Sequence, residues 1–305
     1  MALNTKAIKA RINSVKNTKK ITNAMQMIAA VKMRKAVESA VKTREYANLA
    51  MEILERSHSK FNHPLTQTRS VKNHTLILIT SNRGLCGSYN SNVLRKTLTF
   101  LENHKHENIE IIALGRKAAK LAKSKNIHLH SLYEKLHENP SITEVYPITN
   151  DLRERFLKRE IDKVTVIFTN YISGLNQKVV ARQLLPINKN SLKNILEINE
   201  NYELLKSNED NSVDEFTDYD LDDYIYEPNR EAIAETIIPM LLDTMLYQAI
   251  LESAASEHSS RMIAMKNATE SAGEMIESLT LEYNKQRQAS ITQEISEIVG
   301  GANAL

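Results

Sequence analysis

Helix breakers are almost absent from the two ends of this chain. Residues 1–63 contain neither glycine nor proline, and after Pro239 only Gly273 precedes the terminal pair Gly300–Gly301. Proline removes a helix hydrogen bond and glycine costs backbone entropy, so both ends are free to form long unbroken helices. About 55 residues at the amino end give roughly 80 Å of helix, and the 60 or so after Pro239 give roughly 90 Å. Neither length fits inside a compact globule of 305 residues. An antiparallel pair would project as a rod, with the middle of the chain folded beside it.

Heptads support the pairing. Stepping by four and three from Met33 reaches Val37, Ala40, Arg44, Ala47, Met51 and Leu54, a seam broken only by Arg44. Ile8, Ile12 and Val15 form a second short seam, and Ile21, Met25 and Ile28 a third. Toward the carboxyl end, Leu251, Ala255, His258, Met262, Met265, Thr269, Ala272, Ile276, Leu279 and Tyr283 step the same way. This second partner is rich in Ala, Met and Thr, so it is weaker than a dedicated zipper, and other surfaces must help to hold the rod.

The middle of the chain has a different rhythm. TLILIT (75–80), IEIIALG (109–115) and VTVIFTN (164–170) are short β-branched runs separated by helical stretches at Val93 to Asn103 and Arg116 to Ser124. KVVARQLLPI (178–187) adds an edge strand that stops at Pro186. The expected fold is α+β overall: a long antiparallel coiled coil of N- and C-terminal helices with an inserted Rossmann-like α/β domain. The expected domains are 1–60, 74–195, an acidic linker at 196–228, and 229–305. Between 197 and 227 there are twelve acids against the lone base Lys206, which predicts a solvated loop.

Composition and motifs exclude much. No apolar run reaches the roughly 18 residues of a membrane span. One cysteine, Cys86, allows no internal disulfide. Residues 1–37 carry nine Lys or Arg and no acid, like a transit peptide, but the helical pattern runs straight through Glu38 with no cleavage-like break. There is no GxxxxGK[ST], no GxGxxG after a strand, no HExxH and no CxxC. SNRGLCGSYN (81–90) follows a strand and precedes a helix, as phosphate cradles and nucleophile turns do, yet no base partner for Cys86 stands near in sequence. Gly84 and Gly87 are expected to supply positive φ there. His128 and His130 can share a strand face as metal ligands, but no third ligand lies near them in sequence, so they read as surface histidines.

More specific is the stretch from Ala255 to Leu305, which resembles the γ subunit of F-type ATP synthases. That family's carboxyl-terminal signature is matched by Ile291, Thr292, Glu294, Glu297, Ile298, Gly301 and Ala302. IKARINSVKNTKKITNAMQMIAAVKMRKA (8–36) resembles the family's first helix and SNRGLCGSYN its central turn, so the likeness spans the chain.

The resemblance implies a rotor without catalytic groups, metal or cofactor of its own. It would stand inside an α3β3 hexamer, rest with the ε subunit on the membrane c-ring, couple ion flow to ATP synthesis or hydrolysis at the β subunits, and regulate their ATPase activity. Membrane association would come only through the complex, at the cytoplasmic face of the bacterial inner membrane, a placement also expected from an initiating Met without a presequence. Contacts to β are implied at Arg261, Gln288, Thr292, Glu294, Glu297, Met25, Arg83 and Cys86. Residues 1–60 hold thirteen Lys or Arg against four acids, suited to acidic β loops. A nucleic-acid reader of the basic-zipper kind is excluded by the antiparallel pairing and the α/β insert.

Overall fold

A computed structural model describes residues 2–56, 63–134, 136, 140–188, 227 and 229–302. Two compact units emerge, Met1–Val31 with Arg261–Leu305, and Lys32–Ser260. Both long helices, α1 (Ala2–Arg56) and α5 (Arg230–Ala302), contribute to both units. The expected domains assigned each long helix to a segment of its own. Residues 32–56 of α1 and 230–260 of α5 group with the α/β part. The acidic linker, apart from Glu227, lies outside the described residues.

In the unit Lys32–Ser260 the strands are β1 (Asn73–Ile79), β2 (Asn108–Leu114), β3 (His128–Tyr133), β4 (Lys163–Tyr171) and β5 (Gln177–Leu185), with α2 (Tyr89–Asn103), α3 (Arg116–Ser124) and α4 (Tyr146–Leu157) between them. Sheet order is β3-β2-β1-β4-β5, the first four parallel and β5 antiparallel to β4. Strands β1, β2, β4 and β5 fall where the sequence predicts them. Strand β3 and helix α4 are additional.

Period-2 alternation divides the core into two layers. Ile77, Ile79, Ile112, Leu114, Val166 and Phe168 pack with Ile148, Leu152 and Phe156 of α4 and with Leu242, Leu246 and Ile250 of α5. Leu76, Leu78, Ile111, Ala113 and Ile167 pack on the other face with Val93 of α2 and with Ala118 and Ala122 of α3. A parallel strand covered on both sides reads as a continuous apolar run, as β1 does. This is also why α5 begins before Pro239: Ile238 to Ile250 cover the sheet, Pro239 is accommodated inside the helix, and the Asn229 side chain caps the start by accepting from Ala232 N–H at 2.8 Å.

In the unit of Met1–Val31 and Arg261–Leu305 the two helices run antiparallel. Thr269 donates to Thr22 at 2.7 Å, and one turn on, a Cβ at Gly273 would stand 3.0 Å from Lys19 Nζ. Further along, Ile8 and Ile12 pack with Leu279, joined by Val15, Ile276 and Tyr283. The expected seam through Ile21, Met25 and Ile28 is not buried: Ile21 and Ile28 are exposed and Met25 is half-buried. Burial instead follows Ile8, Ile12, Val15, Thr22 and Ala29 and continues along α1 to Ala36 and Ala40. These positions lie on one heptad line that passes through Lys19, Gln26 and Met33. The side chains of Arg44, Ala47, Met51 and Leu54 lie outside the described part of the chain.

Candidate functional site

The carboxyl ends of β1 and β4 are where an open sheet of this order offers its ligand crevice, since the chain winds outward in opposite directions from β1. SNRGLCGSYN leaves β1 at that point. The crevice is closed by α5: Ser253 meets the Tyr89 hydroxyl at 2.7 Å, Ser256 donates to the Thr169 carbonyl at 3.2 Å, and Ser259 donates to the Gly174 carbonyl at 2.6 Å. These three serines are buried. Small hydroxylated side chains let the helix lie close against the strand ends, and each finds a hydrogen-bond partner there.

Inside the turn, Cys86 Sγ accepts from Asn90 Nδ2 at 3.1 Å and lies 3.7 Å from Ser81 Oγ, with neither imidazole nor carboxylate among these partners. At 2% exposure its thiol points inward in the chain alone. What the turn presents is Arg83 and Leu85, both exposed. Positive φ falls on Leu85 (63°) and Gly87 (54°) and not on Gly84. Leu85 therefore holds an aliphatic side chain outward from a strained backbone position. Gly115 closes the neighbouring crossing: its φ is 102°, and a Cβ there would sit 2.1 Å from the Thr80 carbonyl oxygen.

One buried relay of polar groups has the form of a catalytic triad. His74 Nδ1 is 2.5 Å from Glu107 Oε2, and its Nε2 is 2.8 Å from Thr165 Oγ1. Burial lowers the His74 pKa, and the hydrogen bond and charge of Glu107 pull it partly back. With His74 at 0% and Thr165 at 4% exposure, no substrate atom reaches the hydroxyl, and the relay ties β1 to β4 as a structural bond.

The implied contact residues of the helical unit are placed as follows. Gln288, Thr292, Glu294 and Glu297 are exposed on α5, Arg261 is half-buried, and Met25 is half-buried on α1. The Thr292 hydroxyl donates back to the Gln288 carbonyl at 2.9 Å, and Glu297 accepts from Gln293 at 2.9 Å, so both already make local helix bonds. Beside them stand Ile291, Ile295, Ile298 and Val299, all exposed. On α1, Ile21, Met27, Ile28 and Val31 are exposed likewise.

Strand pairing also supplies what sequence proximity lacked. Glu110 of β2 lies opposite His128 of β3, and ligand atoms of Glu110, His128 and His130 all fall within 4.8 Å of one another. Glu110, 18 residues from His128 in sequence, thus stands beside both histidines from the adjacent strand.

A closed crevice, an inward thiol and long helices with exposed apolar stripes define a class of protein: a subunit that acts through its surfaces. A profile of the ATP synthase family matches residues 4–305. The chain is 36% identical over 316 residues to the ATP synthase gamma chain of Gloeothece citriformis, covering 99% of each. It is 38% identical over 301 residues to that of Heliobacterium modesticaldum, covering 98% of each. The chain belongs to the ATP synthase gamma-chain family. Among solved structures it is similar to a chain of the Tetrahymena thermophila mitochondrial ATP synthase central stalk and c-ring, with TM-score 0.58 and 25% identity over 81% of this chain and 99% of that one. A chain of the Euglena gracilis mitochondrial ATP synthase shares the fold, with TM-score 0.66 and 17% identity over 100% of this chain and 95% of that one.

Proposed function

We propose that this chain is the central-stalk rotor of an F-type ATP synthase, standing in an α3β3 hexamer, resting with ε on the c-ring, and coupling ion flow to the β-subunit sites while regulating their ATPase activity. The observation that carries this is the end of α5, where Ile291, Ile295, Ile298 and Val299 are exposed and only Glu294 and Glu297 are charged after Ile291. An apolar, shallow surface without locked ion pairs suits a bearing that must slip past its neighbours. One asymmetric shaft cannot meet three equivalent β subunits identically, so it biases each toward a different state, and rotation exchanges the biases. Arg261, Gln288, Thr292, Glu294, Glu297, Met25 and Arg83 are the proposed β contacts, with Leu85 taking the place of Cys86 at the turn. No described helix is long and apolar enough to cross a membrane. Attachment through the complex, at the cytoplasmic face, is part of the proposal.

The test is the assembled complex carrying Ile295→Asn with Ile298→Asn, and separately Gln288→Ala with Arg261→Ala. The expected result is coupled ATP synthesis lowered several-fold with the amount of assembled complex nearly unchanged. Equal loss of assembly and activity would make these residues structural and overturn the bearing.

A further inference from the structure

We propose that Glu110, His128 and His130 form a binding site for a divalent transition metal of Zn²⁺ type on the β2–β3 edge of the sheet. Two imidazoles and one carboxylate are a donor set for Zn²⁺, Co²⁺ or Ni²⁺, whereas Mg²⁺ and Ca²⁺ favour oxygen ligands alone. A tetrahedral Zn²⁺ with ligands at about 2.0–2.2 Å holds them roughly 3.4 Å apart. The 4.8 Å spread of the three groups closes by small rotations of two exposed imidazoles.

Arrangement around the three ligands carries the proposal further than their proximity does. One oxygen of Glu110, Oε1, is held by the Thr75 hydroxyl at 2.6 Å and by Arg155 Nη2 at 2.6 Å. The other, Oε2, lies 3.9 Å from His130 Nδ1. On the far side of the same ring, His130 Nε2 is 3.2 Å from Asp151 Oδ2 on α4. A carboxylate on one imidazole nitrogen fixes the ring and its tautomer and leaves the other nitrogen to bind the ion. Strand β3 carries a register shift opposite Ile111 and Ile112 that leaves His130 without a partner on β2, the kind of local bulge that re-aims a side chain. Arg155 opposes a cation here, but its one guanidinium is shared between two carboxylates, Glu110 and Asp151. A bound ion would staple the edge strand β3 to β2, with Asp151 as a positioning residue.

The experiment titrates the full chain with Zn²⁺ against a chromophoric chelator, and with Co²⁺ followed by its ligand-field absorption. Wild-type chain is expected to bind one equivalent saturably at micromolar metal. His128→Ala and His130→Gln weaken binding by roughly 100-fold or more and remove the Co²⁺ bands, while Asp151→Asn weakens it about tenfold with the bands retained. His106→Ala, on the exposed surface elsewhere, leaves binding unchanged. His128 is exposed, so its variant is expected to fold, and circular dichroism checks this. Absence of saturable binding, or binding that His128→Ala and His130→Gln leave at wild-type strength, would overturn the site. An Asp151→Asn chain with wild-type affinity would overturn the positioning role. None of these outcomes bears on the rotor reading, which does not depend on a metal.

Discussion

The α/β unit and the helical unit end their apolar surfaces differently. In the first, both faces of the sheet are covered, by α2 and α3 on one side and by α4 and α5 on the other, and its central strands are buried along most of their length. In the second, each helix buries one stripe at Ile8, Ile12, Met265, Ala272 and Leu279, while Leu281 and Ile298 stay 73% and 72% exposed. A sheet between two helical layers can satisfy all its apolar positions within one chain. Two helices alone can cover only the faces they turn toward each other, and what is left over is surface for a partner. The α/β unit thus covers most of its apolar surface within itself, whereas the helical unit leaves much of its own exposed.

The sharpest way to break this comparison is Gly115→Ala. The new Cβ meets the Thr80 carbonyl oxygen at 2.1 Å in a backbone region that L-residues avoid. We expect about 3 kcal/mol or more of lost stability, read as a lower urea midpoint. A loss under about 0.5 kcal/mol, the size of an ordinary surface change, would show that the crossing is not tight.

A smaller effect is expected from Leu279→Ala. It removes the buried leucine that packs with Ile8 and Ile12 and should cost about 2 kcal/mol, at the low end for a buried leucine because the seam is only one stripe deep. Hydrogen exchange should quicken in α5 around Leu279 and in α1 around Ile12, with the sheet amides unaffected. Faster exchange throughout β1 and β4 would mean that the two units do not hold their stability separately.

The smallest effect concerns a flaw inside the well-covered unit. Asp243 is 7% exposed, and its Oδ1 has no hydrogen-bond partner. Burial raises its carboxyl pKa above 3.8, while the Thr149 hydrogen bond and the Arg153 charge pull it down in part. An unfolded chain gives up this proton at lower pH than the folded one. The stability this group contributes is therefore fully present below about pH 3.8 and is lost as pH rises through the folded value. Asp243→Asn should gain on the order of 1 kcal/mol at neutral pH. The gain should vanish in acid. A variant equally stabilised at both pH values would show that charge is not the cause.

Much of this architecture was legible in local pattern, for identifiable reasons. Missing glycine and proline marked the long helices, and β-branched runs marked β1, β2 and β4 because strands covered on both faces are apolar throughout. HLHSLY did not read as a strand because β3 is an edge, half open to water, and carries two histidines and a serine. The α1 seam was misplaced because its middle passes through Lys19, Thr22, Gln26 and Ala29, whereas apolar stepping selects Ile21 and Ile28 on an open face.

Residue order by itself determined where long helices could run, that β1, β2, β4 and β5 were strands, which chemistries had no motif, and which family the chain resembles. Only the tertiary structure decided that α5 seals the crevice above β1, that Cys86 faces inward, that Leu85 faces out, and that Glu110 stands beside His128 and His130. The physical reason is one of range. Helix and strand periods are written in neighbours three or four and two residues apart, but strand register and helix docking are settled by burial between segments far apart in the chain, and no local pattern records which of them will meet.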